Sequence, residues 1–140
     1  MGTPVSDLLK NLGVTHSMGV VHEEGQIIGG NPLDFTVSRM EDHFLLGGLA
    51  DFAVYGGWAV KNMGRNAIVI ARTGPRAWLD LNRSRAYEPG EPVESLGIVV
   101  AGSVGDGSYL VFGDDAIFQG RFLDGNNLAL AQNLAEWILK

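Results

Sequence analysis

The spacing of apolar positions changes repeatedly along the chain, and each change predicts an element. In "TPVSDLLKNLGV" the residues Val5, Leu8, Leu9 and Leu12 fall on one helical face. Thr3 suits the cap, Pro4 the first helical position and Gly13 a left-handed stop. "HSMGVVHEE" follows as a short strand, with Val20 and Val21 its most buried candidates. Gly25 to Asn31 reads as a loop and "DFTVSRM" as a short strand. "EDHFLLGGLADFAVYGGWAVKN" starts as a turn or short helical piece and ends as a strand around Trp58 to Val60. "NAIVIART" is the cleanest strand of the first half, with four consecutive apolar residues from Ala67 to Ile70.

The second half opens on a polar stretch, "RAWLDLNRSRAYEPGEPVES", twice interrupted by proline, which reads as an excursion across one end of the sheet. "LGIVVAGSV" and "SYLVFGD" then predict two strands joined by a tight Gly-Asp-Gly hairpin. Both are near-continuously apolar rather than alternating, as strands covered on both faces are. A final helix starts near Asn126 or Asn127, either of which can cap it. Asn133, Glu136 and Lys140 share its wet face, with Leu130, Leu134, Trp137 and Ile138 toward the other side.

The expected fold class is therefore α/β, a central mixed sheet with flanking helices of flavodoxin-like kind. Two helices barely cover both faces of a sheet of five or six strands. The expectation is that one or two leading strand–helix units lie before residue 1, so that residues 1–140 form a single domain or the C-terminal portion of one.

Composition narrows the functions more than the fold. Charged residues make up 19% and apolar ones 46%, the balance of a globular domain rather than a disordered chain. A net charge of −6 and the lack of any basic stripe argue against nucleic acid as a partner. The chain has no cysteine, which removes disulfides, thiolate metal sites and cysteine nucleophiles. No apolar run reaches the ~18 residues that span a bilayer, and the first residues do not form a signal peptide. Membrane insertion by this chain itself is not expected. Glycine is frequent, 20 of 140, but falls in pairs and at turns without a fixed period, as in a strand-rich protein.

The closing segment has the cadence of a known family. A buried hairpin strand ends in Gly-Asp, "AIFQGRFLDGNN" follows, and a helix ends in Trp-Ile-Leu. This resembles the last portion of the class I glutamine amidotransferase-like fold. The similarity is to its non-catalytic branch, found in ABC-transporter auxiliary and gliding-motility proteins, in intraflagellar-transport proteins and in membrane-anchored proteins of unknown function. Gly113, Asp114, Asn127 and Trp137 occupy the places where that branch has its strand end, helix opening and final aromatic. "SDLLKNLGV", "DHFLLGGLADFAVYGGWAV" and "ARTGPRAWLDLN" resemble earlier passages of the branch, with Phe44 standing where it usually has proline. The resemblance implies a non-catalytic module in a larger assembly, extracytoplasmic or membrane-associated. Without it, the cytoplasm is the plain expectation.

Candidate chemistry is sparse. Ser103 in "AGSVG" lacks the full nucleophile-elbow spelling and leads into another strand rather than a helix. "GSVGDGS" lacks the Gly-Lys-Ser/Thr ending of a phosphate loop. His22-Glu23-Glu24 and Glu41-Asp42-His43 mix imidazole with carboxylate, but a metal needs three or four convergent ligands, so no metal and no cofactor is expected. A solvated strand end and a solvated loop describe the two clusters, and His16 reads as a surface residue. Asp114 and Asp115 stand where open α/β sheets gather their chemistry, beyond a strand's carboxyl end. Asp114 can equally accept backbone N–H bonds from the following turn, with Asp115 exposed.

Two functions follow. One is an interaction or ligand-binding module whose turn and cap are set by Gly113, Asp114 and Asn127, with a protein partner or a second copy of itself. The other is a hydrolase using Asp114, Asp115 and His43, with or without a metal.

Overall fold

The computed structural model describes residues 3–140. Helix α1 spans Pro4–Asn11, capped by the Thr3 hydroxyl, which accepts the Ser6 N–H. Ten strands follow: β1 Val14–His22, β2 Ile27–Ile28, β3 Asn31–Val37, β4 Arg39–Met40, β5 Phe52–Tyr55, β6 Trp58–Asn62, β7 Ala67–Arg72, β8 Trp78–Asp80, β9 Gly97–Val104 and β10 Gly107–Phe112. Short 3-10 turns occupy Phe44–Leu46, Ala116–Phe118 and Gly120–Phe122, and helix α2 closes the chain over Gly125–Leu139.

The strands form three small sheets, ordered β6-β1-β8, β10-β9-β7-β4 and β2-β3-β5, and every pairing within them is antiparallel. The β9–β10 hairpin is the expected one, with Val104 opposite Gly107 and Gly105 at φ 56° in the two-residue turn between them. This arrangement corrects the expected α/β class: the protein is mostly β, and it is not a flavodoxin-like sheet with flanking helices.

The physical reason lies in what covers the β7-β9-β10 strands. Ala67, Val69, Val100, Tyr109 and Val111 point to one side, against Leu9 and Leu12 near α1, Val14 of β1 and Val60 of β6. Ile70, Val99, Ala101, Leu110 and Phe112 serve the opposite side, with Phe35, Val37, Phe52, Val54, Leu45 and Leu130. Both faces are indeed covered, which is why these strands read as continuous apolar runs. Most of the cover, however, comes from other strands. Parallel neighbours need a crossover of a dozen or more residues, and the two α-helices stand at opposite ends of the chain, so no strand–helix–strand unit exists among the described residues. The few helices thus go with sheets packing on sheets.

Single backbone hydrogen bonds stitch the sheets together. Gly113 donates its N–H to Ile98 (2.8 Å) and accepts from the Trp58 N–H (2.7 Å), joining β10 to both β9 and β6. A Cβ at Gly113 would fall directly on the Trp58 carbonyl oxygen, so this crossing admits only glycine. No helix among the described residues is long and apolar enough to cross a membrane.

Candidate functional site

Strand β5 pairs with β3 along one edge, leaving the outward amides of Ala53 and Tyr55 without a strand partner. Two side chains from the C-terminal segment fill that place. Asp114 accepts the Tyr55 N–H with Oδ2 (2.7 Å) and the Ala116 N–H with Oδ1 (2.8 Å). Asn127 accepts the Ala53 N–H (2.7 Å) and donates to the carbonyls of Ala53 (3.0 Å) and Ile117 (3.3 Å), as a peptide group of a further strand would. Both residues are buried. Asn127 therefore lies within the first turn of α2 and does not cap it; the cap position is Asp124, whose side chain makes no capping bond. Farther along, Asn133 donates to the carbonyls of Leu45 and Gly47, both at 2.9 Å.

The other candidate groups do not join Asp114. Asp115 is exposed. His43 precedes the Phe44–Leu46 turn, where its Nδ1 accepts the Leu45 N–H (3.1 Å) and its ring lies 6.4 Å from Trp137. Burial lowers the His43 pKa, opposed by Asp42. Burial raises the Asp114 pKa; the Tyr55 and Ala116 N–H groups oppose this, and the charges of Asp115 and Asp34 add to it. Among the described residues, no three His, Asp or Glu side chains stand close enough to share a metal ion.

A second polar centre lies where β1 meets β8, and the sequence reading missed it. His22 and Glu23 are buried rather than solvated, and so is Asp80. The imidazole of His22 stacks on Trp78 (4.2 Å between ring centroids, 16° between planes) and its Nε2 meets Asp80 Oδ2 at 3.2 Å. Trp78 in turn donates its indole N–H to Glu24 (3.2 Å) and carries Tyr87 edge-on at 5.7 Å. Glu23 accepts the N–H groups of Glu24, Gly25 and Gly74 at 2.9, 3.3 and 2.9 Å.

Asp80 also accepts the N–H groups of Ser84 (3.0 Å) and Arg85 (2.8 Å). Burial alone would raise its pKa, but those two backbone donors and His22 outweigh it and hold the carboxyl below its ordinary value. Glu91, again buried, accepts the N–H groups of Leu81 (3.2 Å) and Glu88 (2.8 Å). Two buried acids thus shape the loop from Leu81 to Gly90, every residue of which is exposed. A signal was present in "WLDLNRSRA": an acid that ends an apolar strand before Asn and Ser is the spelling of a side chain that folds a turn onto itself. His16, read as a lone surface residue, bonds the Ser6 hydroxyl (2.8 Å) and the Ser17 carbonyl (2.9 Å) and lies edge-on to Trp58.

Comparison with known proteins is consistent with this β-rich architecture. No protein family and no curated protein matches the sequence. Among solved structures, the mmIFT52 N-terminal domain matches with a TM-score of 0.73 and 17% identity, over 99% of this chain. The chain spans 58% of the length of that one. With this neighbour, the three antiparallel sheets and two α-helices of this chain overturn the amidotransferase-like assignment, and with it the ABC-transporter auxiliary one. Of the groups named in the sequence resemblance, the intraflagellar-transport proteins are the one the comparison returns. At this identity the likeness establishes the fold: the chain folds as the mmIFT52 N-terminal domain does.

Proposed function

We propose that residues 1–140 act as a single, non-catalytic protein-interaction module of the intraflagellar-transport type, with Gly113, Asp114 and Asn127 as structural residues of its C-terminal segment. One observation carries this reading. The acid with the strongest claim to chemistry, Asp114, has both oxygens engaged by the backbone of β5 and of the Ala116 turn. Each oxygen is thus committed to closing a sheet edge or a turn, and any chemistry at Asp114 would compete with those bonds. The shared fold with a domain of an IFT protein supports the same reading.

The hydrolase alternative makes a different demand, that Asp114 and His43 act on one substrate. Their hydrogen bonds go to different segments, Tyr55 and Ala116 for the one and Leu45 for the other. A panel of p-nitrophenyl esters, amides and phosphates tests this directly. The expected result is no turnover that Asp114→Asn or His43→Gln removes. Turnover abolished by either substitution, in a protein whose circular dichroism is unchanged, would overturn the module reading.

The partner is another protein chain, with a second copy of this one as the finer possibility. Sedimentation across a hundredfold concentration range separates the two, a concentration-dependent dimer favouring the second copy.

A further inference from the structure

Arg83 and Arg85 both adopt the left-handed backbone conformation, at φ 60° and 66°. Side chains other than glycine and asparagine resist that conformation, and it persists only where the surroundings over-determine it. Here they do: Asp80 holds the Ser84 and Arg85 N–H groups from below, Ser84 bonds the Ala86 carbonyl, and Glu91 fixes Leu81 and Glu88. The loop is held in a shape that brings both arginines, with Val20, His22, Leu33 and Asp80, around a recess of about 200 Å³.

The fold makes no use of the two guanidiniums: among the described residues the one close contact between a basic and an acidic side chain is His22–Asp80, so neither arginine has an anionic partner there.

We propose that the recess receives one carboxylate side chain, Glu or Asp, from a protein partner. This deepens the interaction-module reading and rests on it. The recess is smaller than the roughly 300–1,000 Å³ of small-molecule sites and fits a single side chain. Two arginines against the single Asp80 carboxylate give the recess an excess of basic side chains, which an acidic side chain of a partner complements. Val20 and Leu33 give the partner's methylene groups an apolar wall, and arginine is the side chain whose forked donors suit a carboxylate. Leu81, Tyr87 and Val93 stand about half exposed on the same loop and the segment that follows it. Tyrosine and arginine together are what interface centres favour. Because the chain carries a net charge of −6, attraction for an acidic segment is a property of this recess and not of the surface at large.

A displayed library of random twelve-residue peptides, selected on the whole chain, provides the probe. Selected peptides are expected to contain an Asp or Glu whose replacement by Asn or Gln weakens binding at least tenfold. The double variant Arg83→Asn, Arg85→Asn should weaken the unaltered peptide by a similar factor, and combining the two changes should cost no more than either alone. Asparagine tolerates positive φ, so the loop keeps its shape, which an unchanged melting temperature verifies. Peptides that bind regardless of the two arginines would overturn the recess and leave the module reading standing. Failure to select any peptide overturns the recess as a docking site, and Asp114-dependent hydrolysis alongside it removes the module reading as well. A phosphoserine in place of the acidic residue that binds tenfold better would reassign the recess to phosphate and end the carboxylate proposal.

Discussion

Asp114 and Asp80 are chemically the same residue in nearly the same situation, each buried and each accepting two backbone N–H groups, yet they hold opposite kinds of structure. Asp114, with Asn127, reaches across 59 to 74 positions of sequence to close the edge of β5. The backbone N–H groups that Asp80 accepts lie four and five positions ahead, in the loop that begins beside it. Their charges diverge accordingly. Asp80 has His22 at its side and its pKa is lowered, while Asp114 has Asp115 and Asp34 nearby and burial raises its own. One centre secures the fold; the other shapes a surface.

The largest expected effect tests the first half of that contrast. Asn127→Ala leaves the Ala53 N–H and two carbonyls unpaired in the interior, a loss of about 3 kcal/mol, read from urea unfolding. Amide exchange should accelerate throughout β3, β5 and α2. Acceleration confined to α2 would mean that the clamp does not carry the long-range tie.

Asp80→Ala should cost less, about 2 kcal/mol, and act locally. Exchange protection should vanish for Ser84 and Arg85, and trypsin should cut after Arg83 and Arg85, while β7 and β9 keep their protection. Global unfolding by the loss of Asp80 would erase the distinction between the two centres.

The pH dependence sharpens the comparison through its sign. For Asp80, the folded pKa lies below the ordinary 3.8, so its contribution to stability is complete above 3.8 and fades as pH falls toward the folded value. For Asp114 the folded pKa lies above 3.8, so its contribution is complete below 3.8 and fades as pH rises toward the folded value. The destabilisation by Asp80→Asn should therefore shrink on acidification and that by Asp114→Asn should grow. Melts of both variants and the parent between pH 3 and 7 decide it, and parallel curves would contradict the opposed environments.

Smallest of all is the effect of relieving the loop's backbone. Arg83→Asn should change stability by no more than about 0.5 kcal/mol, toward the stable side, because asparagine accepts positive φ more readily. A clear destabilisation would show that the Arg83 side chain holds the fold, not only the recess.

Local structure was legible in the sequence because local chemistry produces it. The Thr3-Pro4 opening and Gly13 close of α1, the apolar β7, and the Gly105-Asp106 hairpin all follow from residues a few positions apart. What covers the strands was not legible. A continuous apolar run says that both faces of β9 are buried, but it is silent on whether a helix or another sheet buries them. Asn127 misled for the same reason: beside a helix start an asparagine reads as a cap, and only the fold brings Ala53 within its reach. His22 and Glu23 looked solvated because hydropathy counts them as polar, whereas each meets a partner brought from 51 or 58 positions away.

Each of the three tryptophans stands beside one of the three histidines: Trp58 by His16, Trp78 by His22 and Trp137 by His43. Indole emission responds to a neighbouring imidazole, so the molecule carries three optical reporters at three separate places. Replacing any two tryptophans with phenylalanine leaves one lamp lit. With Trp78 alone, held face to face with His22 and edge to face with Tyr87, the light would come from a ring stacked directly behind the recess, on its His22.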